Sequence, residues 1–248
     1  MNTSRGWCVA SGNAIMQLPL FPLPLVLLPH APLTLNVFEP RYRAMVAQCL
    51  MHQQPFGVVL VQAAASHCGS GDDQARMQAY LSQFPTDADE YPAYLPHCVA
   101  TVAIIKEHYV FDDGRFGLQC EGDARVQIVG LTQRLPYLEA TVVPLRDAVT
   151  PATKAAAMAL HEVYARYWRA VQRTSTQAVA VEPLPSDEIA LSWHLAQRMQ
   201  VDNDRKQEWL TMAATQRLRS MIVALRAEAR TLPLTTPRAP SGEQWSWN

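Results

Sequence analysis

From Gly6 to Phe38 the chain carries no Asp, Glu, Lys or Arg, yet Pro19, Pro22, Pro24, Pro29 and Pro32 all fall inside this apolar stretch. A proline within a helix removes a hydrogen bond and clashes with the preceding turn, so no continuous signal or membrane-spanning helix can run through it. Gly12, Asn13 and Gln17 interrupt the apolar run earlier still. What remains is extended chain. Proline in a sheet belongs to edges and strand ends, so the spacing predicts a short edge strand near 17–21, a loop, and a second strand at 33–38.

The next feature is an abrupt change of period in LNVFEPRYRAMVAQCL, residues 35–50. Alternation up to Phe38 reads as strand. Pro40 then presets φ for a first helical turn, where its missing N–H costs nothing. From Tyr42, the residues Met45, Val46, Cys49 and Leu50 fall at i+3, i+4, i+7 and i+8, one face of a helix. Glu39-Pro40 therefore ends a strand and starts a helix, and Arg41 is placed to pair with a nearby carboxylate. Phe38, Glu39, Pro40, Arg41 and Tyr42 are read as a structural motif, against the alternative of a direct ligand contact.

FGVVLVQA at 56–63 reads as a buried strand. The residues after it do not continue the sheet: HCGSGDD is loop, DQARMQAYLSQF a short amphipathic helix, and PTDADEYPAYLP a proline-punctuated return. From Cys98 the signal is a long strand, the Asp113-Gly114 hairpin turn, a strand with Phe116, Leu118 and Cys120 on one face, and another with Val126 and Ile128; YLEATVVPL adds one more. The sum is an α+β chain opening with an antiparallel, barrel-like sheet that carries one inserted helix.

After Pro144 the period becomes helical: 152–173, then 187–200 beyond the loop VEPLPSD, then 204–229 with a break near Thr211 and a core stripe of Leu218, Met221, Ile222 and Leu225. The expected organisation is a flexible leader at 1–15, a β subdomain at 16–143, a linker at 144–153, a helical subdomain at 154–230 and a disordered tail at 231–248. Tyr164, Tyr167 and Trp168 read as helix core. Arg217, Arg219, Arg226 and Arg230 read as a solvated helix surface rather than a phosphate site.

Catalytic chemistry is thin. There is no GxxxxGK[ST] loop, GxSxG elbow or HExxH helix, and the three lysines, Lys106, Lys154 and Lys206, stand in settings that suggest no activated serine. The expectation is no enzyme and no cofactor. His67-Cys68 and His97-Cys98 could supply a zinc set if the loop ends meet, but adjacent residues rarely bind one metal, so the reading is no metal site. A formal charge of -1, with 17% charged residues, gives no global field toward nucleic acid or an anionic membrane. Five cysteines without a dense framework fit a reducing cytoplasm.

The run LPLFPLPLVLLPHAPLTLNVFEPRYRAMV resembles the start of the Lon protease N-terminal substrate-binding domain. There LPLFPL, a proline-interrupted loop, a short strand and FEPRY leading into a helix occur in this order. CVATVAIIKEHYVFDDGRFGLQCEGDARVQIVGLTQRLPYLEATVVPL, and DNDRKQEWL followed by RLRSMI, continue the resemblance from Met16 to Arg230. The chain departs from the family pattern at His97-Cys98, where a glycine is usual, and in the length of its 64–96 loop. The resemblance implies a PUA-like β pseudo-barrel followed by a C-terminal helical bundle. It also implies a recognition module without the ATPase and Ser-Lys protease modules of full Lon. The implied function is non-enzymatic binding of unfolded or apolar polypeptide segments, as an adaptor or sensor for proteolysis with a protease as a further partner. An RNA-binding PUA-like protein is the alternative, disfavoured by the mixed charges of the β half. For the peptide surface, Met77, Tyr80, Leu81 and Phe84 form an apolar stripe at helical spacing, opposite Gln74, Arg76, Gln78 and Gln83. That stripe either packs on its own barrel or borders a peptide groove.

Overall fold

The computed structural model describes residues 15–63, 94–96, 98–174 and 183–231. Within them the elements are β1 (Met16–Leu23), β2 (Pro32–Val37), α1 (Pro40–His52), β3 (Phe56–Ala63), β4 (Tyr94–Pro96), β5 (Val99–Val110), β6 (Phe116–Gln133) and β7 (Leu138–Pro144). Four helices follow: α2 (Pro151–Thr174), α3 (Glu188–Arg198), α4 (Asn203–Thr211) and α5 (Ala214–Thr231). The described residues group into two compact units. One takes the chain to Arg146 together with Gln197–Thr211; the other takes Asp147–Ala196 and the chain from Met212.

In the first unit the sheet runs β1-β7-β6-β5-β3, and a β1–β3 pairing closes the ring. That closing pair is parallel, Leu20 beside Gly57 through Leu23 beside Leu60, whereas the alternation in the sequence suggests antiparallel pairs throughout. Hydrophobic alternation reports which face a residue takes and is blind to strand direction. β1 is accordingly no simple edge strand. Met16–Leu20 pairs with β7 and Leu20–Leu23 with β3, so each half has one neighbour. Pro19 and Pro22 each lie in a half with a free side, where a missing N–H need not break the ladder.

β6 is one continuous strand rather than two short ones. Its first part pairs with β2, Val37 beside Phe116 through Pro32 beside Glu121, and its later part with β7, while β5 lines its other edge. At the change of partner stands Gly122, where a Cβ would collide with the Leu28 carbonyl oxygen. The loop before β2 uses that space: His30 N donates to Gly122 O at 2.7 Å and Gly122 N to Ala31 O at 2.9 Å.

α1 packs its apolar face against the sheet. Tyr42, Met45, Val46 and Cys49 are buried with Phe21, Val37, Phe56, Leu118 and Tyr137 in one core cluster, and Leu18, Leu20, Val59, Val102, Ile128 and Val142 fill a second. α4 belongs to the same unit. Gln207 Nε2 donates to Val99 O at 3.0 Å, Arg125 Nη1 donates to Leu210 O at 2.7 Å, and Trp209 and Leu210 are buried.

In the second unit α2 packs on α5, and the stripe Leu218, Met221, Ile222 and Leu225 is buried. Tyr164 is buried too, while Tyr167 and Trp168 are half-buried and meet edge to face at 5.8 Å. Helix starts follow local chemistry. Thr150 and Thr153 cap α2 reciprocally, each hydroxyl accepting the other's amide at 3.1 to 3.2 Å, with Pro151 in the first turn. The break between α4 and α5 is fixed by Asp147, whose Oδ1 accepts the Ala214 amide at 2.9 Å. Arg217 is not a solvated surface residue. It is fully buried, its guanidinium 3.5 Å from the Trp193 ring centroid and 2.7 Å from Asp147 Oδ2, while Arg219, Arg226 and Arg230 are exposed.

Candidate functional site

Strand β2 ends at Val37, and the following Phe38 is 62% exposed. Glu39 is extended at φ -66°, ψ 132°, and Pro40 opens α1, as expected where an N–H has no partner to lose. Arg41 pairs with Glu39 at 2.7 Å and lies over the Tyr42 ring, 4.8 Å from its centroid. Tyr42 in turn stacks on Phe21 at 4.4 Å and 24°. Glu39, Arg41 and Tyr42 thus lock the strand-to-helix turn onto the core, and Phe38 projects from it.

Register brings a second group of aromatics to the same sheet end. Val37, Phe116 and Val110 form one row across β2, β6 and β5, and Asn36, Gly117 and Tyr109 the next. Tyr109 is 63% exposed and Val110 and Phe111 are also exposed. Tyr109 meets Phe111 edge to face at 4.9 Å, and a Cβ at Gly117 would stand only 3.3 Å from the Phe111 ring. The glycine therefore provides the floor on which Phe111 lies.

The β5–β6 turn is fixed by its own polar groups. Asp113 accepts the Arg115 amide at 3.1 Å and Arg115 Nε at 2.6 Å. Those hydrogen bonds, with the guanidinium charge beside them, hold the Asp113 carboxyl below its ordinary range. Arg115 also lies 5.0 Å over the Phe111 ring. Gly114 has φ +78°, the left-handed region that favours glycine, and the half-buried Arg43 of α1 packs its Nη2 where a Gly114 side chain would stand. This sheet end therefore exposes Phe38 at the close of β2 and the Tyr109–Phe111 pair beside a turn held by its own hydrogen bonds, with arginine at its margin.

Of the residues singled out from sequence, Phe38 through Tyr42 come together here. Met77, Tyr80, Leu81 and Phe84 lie outside the described residues, as do His67, Cys68 and His97. Cys98 is partly buried against the second core cluster, its carbonyl accepting the Ile128 amide at 2.8 Å. Among the described residues no three His, Cys, Asp or Glu side chains gather to hold a metal, and no helix is long and apolar enough to cross a membrane. Tyr109, Phe111 and Arg43 escaped the sequence reading. The available signal was parity: in EHYVFDDGRFG the two aromatics share the strand face opposite to Val110, beside a turn that fixes the register.

The model of the ATP-dependent protease La (LON) substrate-binding domain matches residues 17–226. The chain belongs to this family. Two solved structures share the fold of this Lon substrate-binding-domain protein, each with a TM-score of 0.53. A Lon N-terminal domain protein from Xanthomonas campestris is 22% identical, the match covering 84% of this chain and 98% of that one. The N-terminal domain of Mycobacterium avium complex Lon protease is 15% identical, covering 86% and 99% respectively. No curated protein matches the sequence.

Proposed function

We infer that this Lon substrate-binding-domain protein captures extended, non-native polypeptide on the aromatic end of its β2–β6–β5 sheet, serving proteolysis as an adaptor or sensor rather than as a catalyst. The observation that carries this reading is the exposure of Tyr109 and Phe111, held edge to face beside the β5–β6 turn, with exposed Phe38 at the same end of the sheet. Grouped exposed apolar side chains mark interaction surfaces, and rings already held in place bind at low entropic cost. Exposed rings suit chains of varied sequence better than one shaped ligand. Met77, Tyr80, Leu81 and Phe84 are the second surface this reading would use.

Fluorescence anisotropy with labelled β-casein tests it. Tyr109→Ser with Phe111→Ser is expected to weaken binding by about tenfold or more at an unchanged melting temperature, since these exposed rings contribute contact area rather than core. Full binding by that variant overturns the reading. Leu81→Asp with Phe84→Asp tests the second surface: lost affinity at a normal melting temperature supports it, and a lowered melting temperature assigns the stripe to the core. Steeply salt-dependent capture of RNA by the wild-type protein would favour nucleic-acid binding instead.

A further inference from the structure

Among the described residues, the cations around the aromatic surface are matched to carboxylates with one exception. Arg41 pairs with Glu39, Arg115 with Asp113 and Lys106 with Glu121, at 2.6 to 3.0 Å. Arg43 pairs with none of the described carboxylates. The turn beside it does not neutralise it: Asp113 is engaged by the Arg115 amide and guanidinium, and Asp112 forms no ion pair with Arg43. Arg43 is nevertheless held in place. It lies in the first turn of α1, anchored by its amide to Glu39 O at 2.9 Å, and its guanidinium rests on Gly114, whose amide bonds to Phe111 O at 2.8 Å. A half-buried charge with no ion pair among the described residues thus stands against the turn that follows Phe111.

We propose that this surface selects polypeptide segments in which an apolar or aromatic residue is closely followed by a carboxylate, with Arg43 as the residue that reads the charge. The proposal rests on the polypeptide-binding reading above and adds its specificity. The apolar side chain seats against Tyr109 and Phe111, and the carboxylate meets Arg43 across the turn. A guanidinium presents a planar fork of donors that matches a carboxylate, and apolar surroundings weaken the competition from water. Because Arg43 keeps some exposure, the gain is that of a surface ion pair, about two- to fivefold in affinity.

The test uses the full chain and three labelled, unstructured peptides that differ only at the residue after a shared Leu-Phe-Tyr core: Asp, Asn or Lys. The wild-type protein is expected to bind them in the order Asp, Asn, Lys, with the differences disappearing at about 1 M salt, where charges are screened within about 3 Å. Arg43→Gln should abolish the difference between the Asp and Asn peptides. Arg43→Lys should retain it, a rescue that a merely structural role for Arg43 would not give. Equal binding of all three by the wild-type protein, or a preference that survives Arg43→Gln, overturns the inference and leaves polypeptide capture standing. Failure of the wild-type protein to bind any of the three and β-casein overturns both.

Discussion

Arg217 occupies a run of arginines along α5, yet its side chain turns away from water. Its Nε donates to Ser192 Oγ at 2.9 Å, Nη1 to Met212 O at 3.0 Å and Nη2 to Asp147 at 2.7 Å, with the Trp193 ring beneath. A buried charge persists only where its donors find partners, and this set explains why the chain between β7 and α2 is pinned at Asp147. Arg217→Met leaves the Asp147 carboxylate buried without its cation and is expected to cost about 3–5 kcal/mol in denaturant unfolding. Adding Asp147→Asn should recover part of that loss, and additive losses would show the two residues to be uncoupled. Cys49 and Cys120 present the opposite case. Burial pushes their thiols up from 9.0 to about 11 and about 12, with Glu139 adding to the first and Cys49 to the second. Both are expected to resist a thiol reagent at pH 8 in the native protein and to react once it unfolds. Since the folded values exceed 9.0, this contribution to stability is whole below pH 9 and falls as pH rises toward 11 and 12, which alkaline melting curves would register.

The elements show which features a sequence can announce. The passage from β2 to α1 was legible because period and proline changed together at Glu39-Pro40, and the break expected near Thr211 falls between α4 and α5. Alternation also gave the inward face of Phe116, Leu118 and Cys120. It could not say that β6 runs on without a turn, because its β2-paired and β7-paired parts look like two strands until both partners are known. Nor could it distinguish Arg217 from its neighbours on α5, since the difference lies in Asp147 and Trp193, far away in the chain. The candidate surface was half legible: Phe38 lies inside a recognised motif, whereas Tyr109 and Phe111 gain meaning only from the register that joins β2, β6 and β5. Gly122 gives a test at this scale. A methyl group there meets the Leu28 carbonyl, a main-chain atom that cannot move alone, so Gly122→Ala should displace the loop paired at His30 and Ala31. The expected cost is about 1–3 kcal/mol, measurable as a lower melting temperature, and an unchanged one would show that the loop yields freely.

At the scale of the whole molecule, the barrel unit is not contiguous in sequence. Its strands end with β7 at Pro144, but Gln197–Thr211 belongs to the same unit and arrives only after α2 and most of α3. That returning segment is bonded into the barrel at several points: Gln197 Nε2 to Pro29 O at 2.8 Å, Asn203 Nδ2 to Pro24 O at 3.0 Å, Gln207 to Val99 O and Arg125 to Leu210 O. Without that segment, Arg125 loses the Leu210 carbonyl. Limited proteolysis between 144 and 153 is therefore expected to nick the chain without releasing a stable barrel, because α4 stays bound across the cut. Residues 16–143 expressed alone should lack cooperative melting, having lost the Gln197, Asn203 and Gln207 hydrogen bonds to the Pro29, Pro24 and Val99 carbonyls and left the Arg125 guanidinium one acceptor short. A synthetic peptide spanning 197–211 should restore a cooperative transition in proportion to its concentration, as expected for a ligand that binds only the folded state. Cooperative melting of 16–143 alone, unaffected by the peptide, would show instead that the strands and α1 suffice and that α4 is an accessory to the barrel.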